Sequence, residues 1–354
     1  MRRLWHRTAC VTLVVLTLVY AVTTVCAYVI APVWGEDVRA AAARMCVALV
    51  LAAAVAWSFA RTALTSSAYD GRSVPPGSDG AHTCHTVKMS TGTRRWCAKC
   101  CAPKPDRCHH CSSCGTCVLR MDHHCPWIMD QCIGLRNYKF FVLLLWYAGA
   151  LSVYILATVA EAFLHLLGRD DPMDAALPFS WIALFALSLV LSLTLVPFGI
   201  FHFYLLCTNR TTLEYMEGTS RVRIGDAPPP AAPGDEASAS RHHLARLLRR
   251  SLQGTRDESS DDAPLSSDVP DADTPLLAPT HLTAAQRRHF TGLASRVNLY
   301  NVGLLANLEQ AFGRPVYLWL LPVGRPHCDG IQYPVNEAAW CALQRALDVH
   351  DVEG

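Results

Sequence analysis

Four long apolar blocks, at residues 8–30, 44–64, 140–164 and 177–206, limit what this chain can fold into more than any other feature. Each is near or above the ~20 residues that an α-helix needs to cross a bilayer. They account for a composition that is 51% hydrophobic and only 17% charged over 354 residues, an apolar excess unusual for a soluble protein of this size. The sequence therefore predicts an integral membrane, α-helical protein with four transmembrane helices. The first block has a competing reading as a signal peptide, since Met1, Arg2 and Arg3 precede it and small residues lie near Ala27. Its apolar stretch exceeds the usual ~7–15 residues and further spans follow, which favours a retained helix.

Basic residues in short flanking segments mark the cytosolic side. Arg2, Arg3 and Arg7 stand at the amino end, and Lys88, Arg94, Arg95, Lys99, Lys104, Arg107, Arg120, Arg136 and Lys139 lie between the second and third blocks. Both termini and that central segment are thus expected in the cytosol. Segments 31–43 and 168–176, at least as acidic as basic, are left for the far side. The expected organisation is an amino-terminal pair of helices (1–64), a cytosolic cysteine-rich domain (65–139), a second helix pair (140–207), a short segment after the last helix (208–220), a linker (221–280) and a carboxyl-terminal docking segment (281–354). The linker contains "APPPAAPGDEASAS" and "DESSDDAPLSSDVPDADTP", too polar and proline-broken to pack a core. Within it "RHHLARLLRR", at 241–250, reads either as a solvated charged helix or as a surface helix held by anionic lipid. Order is expected to return near His281, and no long internal repeat is evident. A formal net charge of +2 gives no reason to expect nucleic acid as a partner.

Sixteen cysteines would suggest disulfides in a secreted chain, but nine of them lie between Cys97 and Cys132, in the segment assigned to the cytosol. In a reducing compartment such a cluster binds metal or does catalysis. Two C-x-x-C knuckles, Cys97/Cys100 and Cys111/Cys114, each offer two thiolates to one tetrahedral zinc, and His110, Cys117, His124 and Cys132 supply the four ligands still needed. Spacing leaves the pairing open, because Cys101, Cys108, His109 and His123 are close enough to compete. Once eight ligands are assigned, Cys125 remains in "RMDHHCPWIMDQC", beside two histidines. A surplus thiol next to imidazole is suited to nucleophilic catalysis, with His123 as base and Asp122 fixing its tautomer. The competing reading makes Cys125 one more ligand and Asp122 a carboxylate that supports the site from behind.

Residues 97–132 resemble the cysteine-rich domain of the DHHC family of integral-membrane protein S-acyltransferases, or palmitoyltransferases, whose pattern is C-x2-C-x9-H-C-x2-C-x2-C-x4-D-H-H-C followed by a further cysteine. "KPDR" (104–107) and "NYKFF" (137–141) match as well. The resemblance implies one zinc on Cys97, Cys100, His110 and Cys117, a second on Cys111, Cys114, His124 and Cys132, Asp122 and His123 as activators, and Cys125 as the acyl-carrying nucleophile. It extends to "TTLE" (Thr211, Thr212 and Glu214), similar to the family's T-T-x-E, and to "NLEQAFG" (307–313), with Asn307 as its key residue. Two departures stand out. The D-P-G after the second helix is at best "DGRSVP" from Asp70. Six residues rather than five separate Cys125 from Cys132, with Met129, Asp130 and Gln131 where the family has N-N.

The implied function is transfer of a fatty acyl group from acyl-CoA to cysteines of substrate proteins by a ping-pong route through S-acyl-Cys125. Two structural zinc ions, acyl-CoA as co-substrate and the bilayer itself complete the list of partners. The expected setting is a multi-pass protein of an endomembrane (Golgi or ER) or of the plasma membrane. Trp127 is expected beside the thioester, and Arg94, Arg95, Lys99, Lys104 and Arg107 are candidates to attract CoA phosphates. Glu161 and His165, near the far end of the third helix, read either as polar lining or, in preference, as interfacial anchors. The alternatives are a catalytically silent, zinc-folded membrane adaptor and a zinc hydrolase, the latter needing an open coordination position. Topology is directly testable: reporters inserted near Gly77 and near Gly254 should both face the cytosol, and glycosylation of either would overturn the orientation.

Overall fold

The computed structural model describes residues 2–69, 95–168, 179–217, 297–339 and 341. The linker with its 241–250 segment, "DGRSVP", Lys88, Arg94, His281 and the start of the fourth apolar block lie outside the described residues.

Among the described residues four helical spans are long and apolar enough to cross a membrane: Arg7–Trp34, Val38–Leu64, Tyr138–Leu167 and Phe179–Cys207. They agree with the four blocks: the first three are extended by a few interfacial residues that a hydropathy reading trims, and the fourth is described from Phe179 to Cys207. The first span is a composite of α1 (Arg2–Thr24), a π-helical stretch (Val25–Ile30) and a final turn, α2 (Ala31–Trp34). The π register turns Val25, Val29 and Ile30 inward, where they are wholly buried. The Tyr28 carbonyl, four residues before Pro32, which has no amide hydrogen, accepts from Trp181 Nε1 at 2.6 Å. α3 (Val38–Leu64) starts at Asp37, whose carboxylate caps the helix by accepting from the Arg39 and Ala40 amides at 3.1 Å each. α4 (Tyr138–Leu167) packs between α3 and α5 (Phe179–Cys207), and Gly199 lets the Trp146 ring lie against the α5 backbone.

Glu161 does more than anchor an interface. Arg44 of α3 grips it with two hydrogen bonds of 2.9 Å, stacks over Trp34 at 4.1 Å, and ties the far ends of three spans together. His165 meets the same Trp34 edge-on at 5.6 Å.

Between α3 and α4 lies the cysteine-rich region, built of short strands around small, cysteine-rich buried clusters. β1 (Ala68–Tyr69), β5 (Thr116–Val118) and β4 (His109–Cys111) form one antiparallel sheet in that order. β2 (Trp96–Cys97) pairs with β3 (Ala102–Pro103), and β6 (His123–Cys125) pairs with β7 (Gln131–Ile133). Asn137, fully buried, joins this region to α4: its side chain accepts from Ser67 Oγ at 3.0 Å and the Gly134 amide at 2.9 Å, and donates to the Cys132 carbonyl at 3.0 Å.

The carboxyl-terminal segment docks where the membrane helices end. Short α6 (Thr212–Glu217) follows α5, and α7 (Leu304–Phe312) lies against α5 and α4. Asn307, 1% exposed, donates to the Cys207 carbonyl at 2.7 Å and so closes the end of α5. Lys139 donates to the carbonyls of Leu318 and Val323. Gly313 ends α7 at a φ of 79°, where any side chain would run into the Arg325 carbonyl.

One buried ion pair joins these parts. Arg107, 3% exposed, donates to Glu214 at 2.7 and 2.8 Å and to Asn209 at 3.0 and 2.9 Å, under the rings of Tyr300 and Tyr333. Burial alone would raise the Glu214 carboxyl, but the guanidinium holds it below the usual carboxylate range. Arg107→Ala would leave that carboxylate buried without its counter-charge, a loss of about 3–5 kcal/mol. Thermal unfolding of the detergent-solubilised variant should drop sharply, whereas Arg314→Ala, which removes an exposed pair with Glu309, should stay near the parent.

Candidate active site and metal centres

Two β-hairpins set the register of the metal ligands. In β4–β5, His110 stands directly across from Cys117, and in β6–β7, His124 stands directly across from Cys132. Each cross-strand pair meets one C-x-x-C knuckle. In the first group His110 Nδ1 lies 3.5 Å from Cys97 Sγ, 3.2 Å from Cys100 Sγ and 3.9 Å from Cys117 Sγ. In the second, His124 Nδ1 lies 3.6 Å from Cys111 Sγ, 3.4 Å from Cys114 Sγ and 3.7 Å from Cys132 Sγ, while Cys114 and Cys132 are 3.5 Å apart. Zinc bonds of about 2.3 Å to sulfur and about 2.0–2.1 Å to nitrogen, at tetrahedral angles, require S···N separations of about 3.6 Å and S···S separations of about 3.8 Å. Both groups meet that requirement, with all four donor atoms of each within 4.8 Å of one another. Each can hold one metal ion.

The geometry thus brings together the two ligand sets that spacing left open. Cys101 is exposed, and Cys108 is a buried thiol, pushed up to about 11 by burial; neither belongs to a ligand group. The longer Cys125–Cys132 connection does no harm to the second group. Met129 and Asp130 absorb the extra residue in left-handed conformations, with φ of 52° and 50°. Asp130 also contacts His124 Nε2 at 2.8 Å, so it fixes the ring that presents Nδ1 to the thiolates. No signal in the sequence distinguished this carboxylate from a loop residue.

A short repeat underlies the arrangement. Cys97, Cys111 and Cys125 are each fourteen residues apart, as are Cys100 and Cys114, and His110 and His124. In this register Cys125 is the first cysteine of a third knuckle, but Ile128 stands where its partner would be. Cys125 is accordingly absent from both ligand groups.

Cys125 faces His123 instead. His123 Nδ1 lies 2.7 Å from Asp122 Oδ2, which leaves Nε2 to make the imidazole's contact with the Cys125 thiol. Asp122, 1% exposed, also accepts from the Thr212 amide at 2.9 Å and the Thr212 hydroxyl at 2.8 Å. Burial alone would raise this carboxyl, but the hydrogen bond and charge of His123, with help from the Thr212 amide, hold it below its usual range. Burial likewise works against a charged His123, yet the Asp122 and Cys125 contacts outweigh it and raise the imidazole to about 9. An imidazole protonated near neutrality stabilises an adjacent thiolate, the form in which cysteine acts as a nucleophile.

Thr211 and Glu214 build the turn that presents Thr212. The Thr211 hydroxyl accepts from the Glu214 amide at 3.2 Å and the Glu214 carboxylate accepts from the Thr211 amide at 2.9 Å, a reciprocal capping box at the start of α6. The same Glu214 pairs with Arg107 of the cysteine-rich region. Arg107 is therefore taken up inside the protein and is not available to a phosphate. Arg95 donates to the Cys108 carbonyl at 2.6 Å, and Lys99 is exposed.

On the membrane side Cys125 joins an apolar cluster with Ile128, Phe141, Val142, Leu206 and Phe312, lined further by Phe59 and Leu195. The thiol, 8% exposed, thus sits where the polar hairpin meets the ends of the helices. Trp127, two residues further along the chain, is 55% exposed.

The family model described as DHHC palmitoyltransferase matches residues 90–219. Similar curated proteins include palmitoyltransferase PFA3 of Debaryomyces hansenii, 41% identical over 38% of this chain and 33% of the relative, and palmitoyltransferase ZDHHC15 of Xenopus laevis, 31% identical over 71% of this chain and 53% of the relative. Palmitoyltransferase PFA3 of Gibberella zeae is 34% identical over 70% of this chain and 47% of the relative. The chain spans about a third to a half of the length of these curated relatives. With four helices able to cross a membrane and two Cys/His groups between the second and third, this multi-pass membrane protein carries, at residues 90–219, a domain of the DHHC palmitoyltransferase family.

Proposed function

We propose that the protein is a protein S-acyltransferase that moves a fatty acyl group from acyl-CoA to cysteines of other proteins through Cys125. The observation that carries this reading is a thiol excluded from both metal-ligand groups and in contact with an imidazole, itself held by a buried carboxylate. An adaptor would have no use for that contact, and a zinc hydrolase would need an open coordination position that two four-donor groups do not leave.

In this mechanism Cys97, Cys100, His110 and Cys117 hold one zinc, and Cys111, Cys114, His124 and Cys132 the other. Zinc bound there supplies folding free energy to a region with little apolar core. His123 and Cys125 share one proton, which rests on the imidazole while the Cys125 sulfur attacks the thioester carbonyl. The bond to CoA sulfur breaks, and the leaving thiolate takes the proton from His123. A substrate cysteine then gives its proton to the same imidazole and attacks the acyl carbon, and Cys125 leaves as thiolate. Asp122 keeps His123 in the Nδ1–H tautomer throughout, and Thr212 fixes Asp122. The acyl chain lies along the apolar cluster below Cys125, with Trp127 beside the thioester; the cysteine-rich region and both termini face the cytosol, in an endomembrane or the plasma membrane.

The protein should contain two zinc ions per chain, measured by elemental analysis. Cys125→Ser should retain both and lose hydroxylamine-sensitive labelling by acyl-CoA, whereas His124→Ala should lose metal from the second group and destabilise the region. Loss of a zinc ion from Cys125→Ser would make it a ligand and overturn the mechanism.

His123→Ala should keep both ions while autoacylation slows by ~10²–10⁴-fold, the usual worth of general-base help. Thr212→Val removes one of the hydrogen bonds to Asp122, retains the backbone bond, and should slow autoacylation less than His123→Ala does. Equal rates for these two variants and the parent, followed by stopped quench, would contradict the proposed relay.

A further inference from the structure

Gln131 stands directly across the β6–β7 hairpin from Cys125. Its side-chain amide reaches out of the hairpin and donates to the carbonyls of Thr62 at 2.8 Å and Ala63 at 2.9 Å. These residues belong to the last turn of α3, where helix carbonyls have no intrahelical donor. One side chain thus does two things: it closes the end of a membrane helix, and it ties to that end the backbone paired with Cys125.

Within the hairpin itself, the two sides of Cys125 are held differently. The next cross-strand pair, His124 and Cys132, is set by the second ligand group. On the other side of Cys125 the chain leaves the ladder for residues 126–130, which include the two left-handed residues Met129 and Asp130. Cys125 therefore lies between a ligand-bound pair and a strained connection, and Gln131 anchors that end of the hairpin to α3. Phe59 and Ala63 of the same helix line the apolar cluster that contains Cys125. A shift of the hairpin along α3 would move the thiol relative to that lining.

We propose that Gln131 is a positioning residue that fixes the depth of the Cys125 thiol against the cytosolic end of α3, and with it the alignment of the thiol with an acyl thioester whose chain lies among the helices. The alignment with acyl-CoA rests on the acyltransferase reading; the depth of the thiol does not. Neither C-x-x-C spacing nor the histidine–thiol contact requires glutamine here. Its length and its two amide hydrogens are what the α3 carbonyls use.

The test uses the full-length, zinc-loaded protein in bilayer nanodiscs with two substitutions, Gln131→Met, which keeps the length without the donors, and Gln131→Glu, which replaces the donors with oxygens facing carbonyls. Two rates are read at Cys125 by peptide mapping: alkylation by a charged, water-soluble maleimide, and thioester formation with palmitoyl-CoA. Zinc content is measured on the same samples. Both variants should retain two zinc ions per chain, alkylate at Cys125 about ten-fold faster than the parent, and acylate about 10- to 100-fold more slowly, the scale on which a misplacement of about 1 Å acts. Parental rates in both variants would overturn the proposal. So would loss of zinc, since Gln131 would then be acting through Cys132 and not through α3. If the parent itself failed to form the thioester while the variants still showed faster alkylation, the clamp would stand and the acyltransferase reading would fall.

Discussion

The Asp122 carboxylate carries the site. It is buried and accepts hydrogen bonds from the His123 ring, the Thr212 amide and the Thr212 hydroxyl, so one anion joins the cysteine-rich hairpin to the turn that follows the last membrane helix. A buried carboxylate is tolerable only when its oxygens are satisfied. That condition propagates outward. Thr212 is in place because Thr211 and Glu214 cap α6; Glu214 is in place because Arg107 neutralises it; and Arg107 is shielded by Tyr300 and Tyr333 of the carboxyl-terminal segment. The orientation of a histidine in one hairpin thus depends on chain nearly two hundred residues away.

The cysteine-rich region adds ligand geometry to small, cysteine-rich buried clusters, and the fourteen-residue spacing explains how the Cys125 thiol comes to be spare. Each knuckle cysteine at the head of a repeat follows the histidine that serves the preceding metal group: Cys111 follows His110, and Cys125 follows His124. The series stops when Ile128 occupies the position of the next knuckle partner. Cys125 keeps the placement of a ligand without the companions to bind a metal, and His123 lies beside it in the place that His109 has in the preceding repeat. A thiol placed in this way has a ligand pair one residue earlier on its strand and Gln131 across the hairpin from it.

Much of this was legible in the sequence for physical reasons. Bilayer thickness imposes a minimum apolar length, so the four spans appeared with errors only at their polar ends. Tetrahedral coordination imposes knuckle spacing, so Cys97/Cys100 and Cys111/Cys114 stood out as pairs, whereas the remaining ligands had competitors nearby and their assignment rested on the resemblance. The partners of polar side chains were not legible. Arg107 reads as one more positive charge in a basic segment, and only the fold reveals that it is buried against Glu214. Glu161 reads as an interfacial anchor until Arg44, far away in sequence, closes on it. Asp130 and Gln131 looked like irregularities in a lengthened connection, although each makes a specific contact, one with His124 and the other with α3. Such contacts depend on tertiary distances, and no periodicity or spacing within the chain encodes them.

The central claim is that metal binding and acyl transfer use separate cysteines in one small region. Native mass spectrometry of the intact protein after brief exposure to palmitoyl-CoA tests this within single molecules, because it counts metal ions and acyl groups on the same particle. The account predicts a species carrying two zinc ions and one acyl group, with the acyl group mapped to Cys125. An acylated species that has lost a zinc ion, or an acyl group mapped to one of the eight ligand cysteines and histidines, would contradict it.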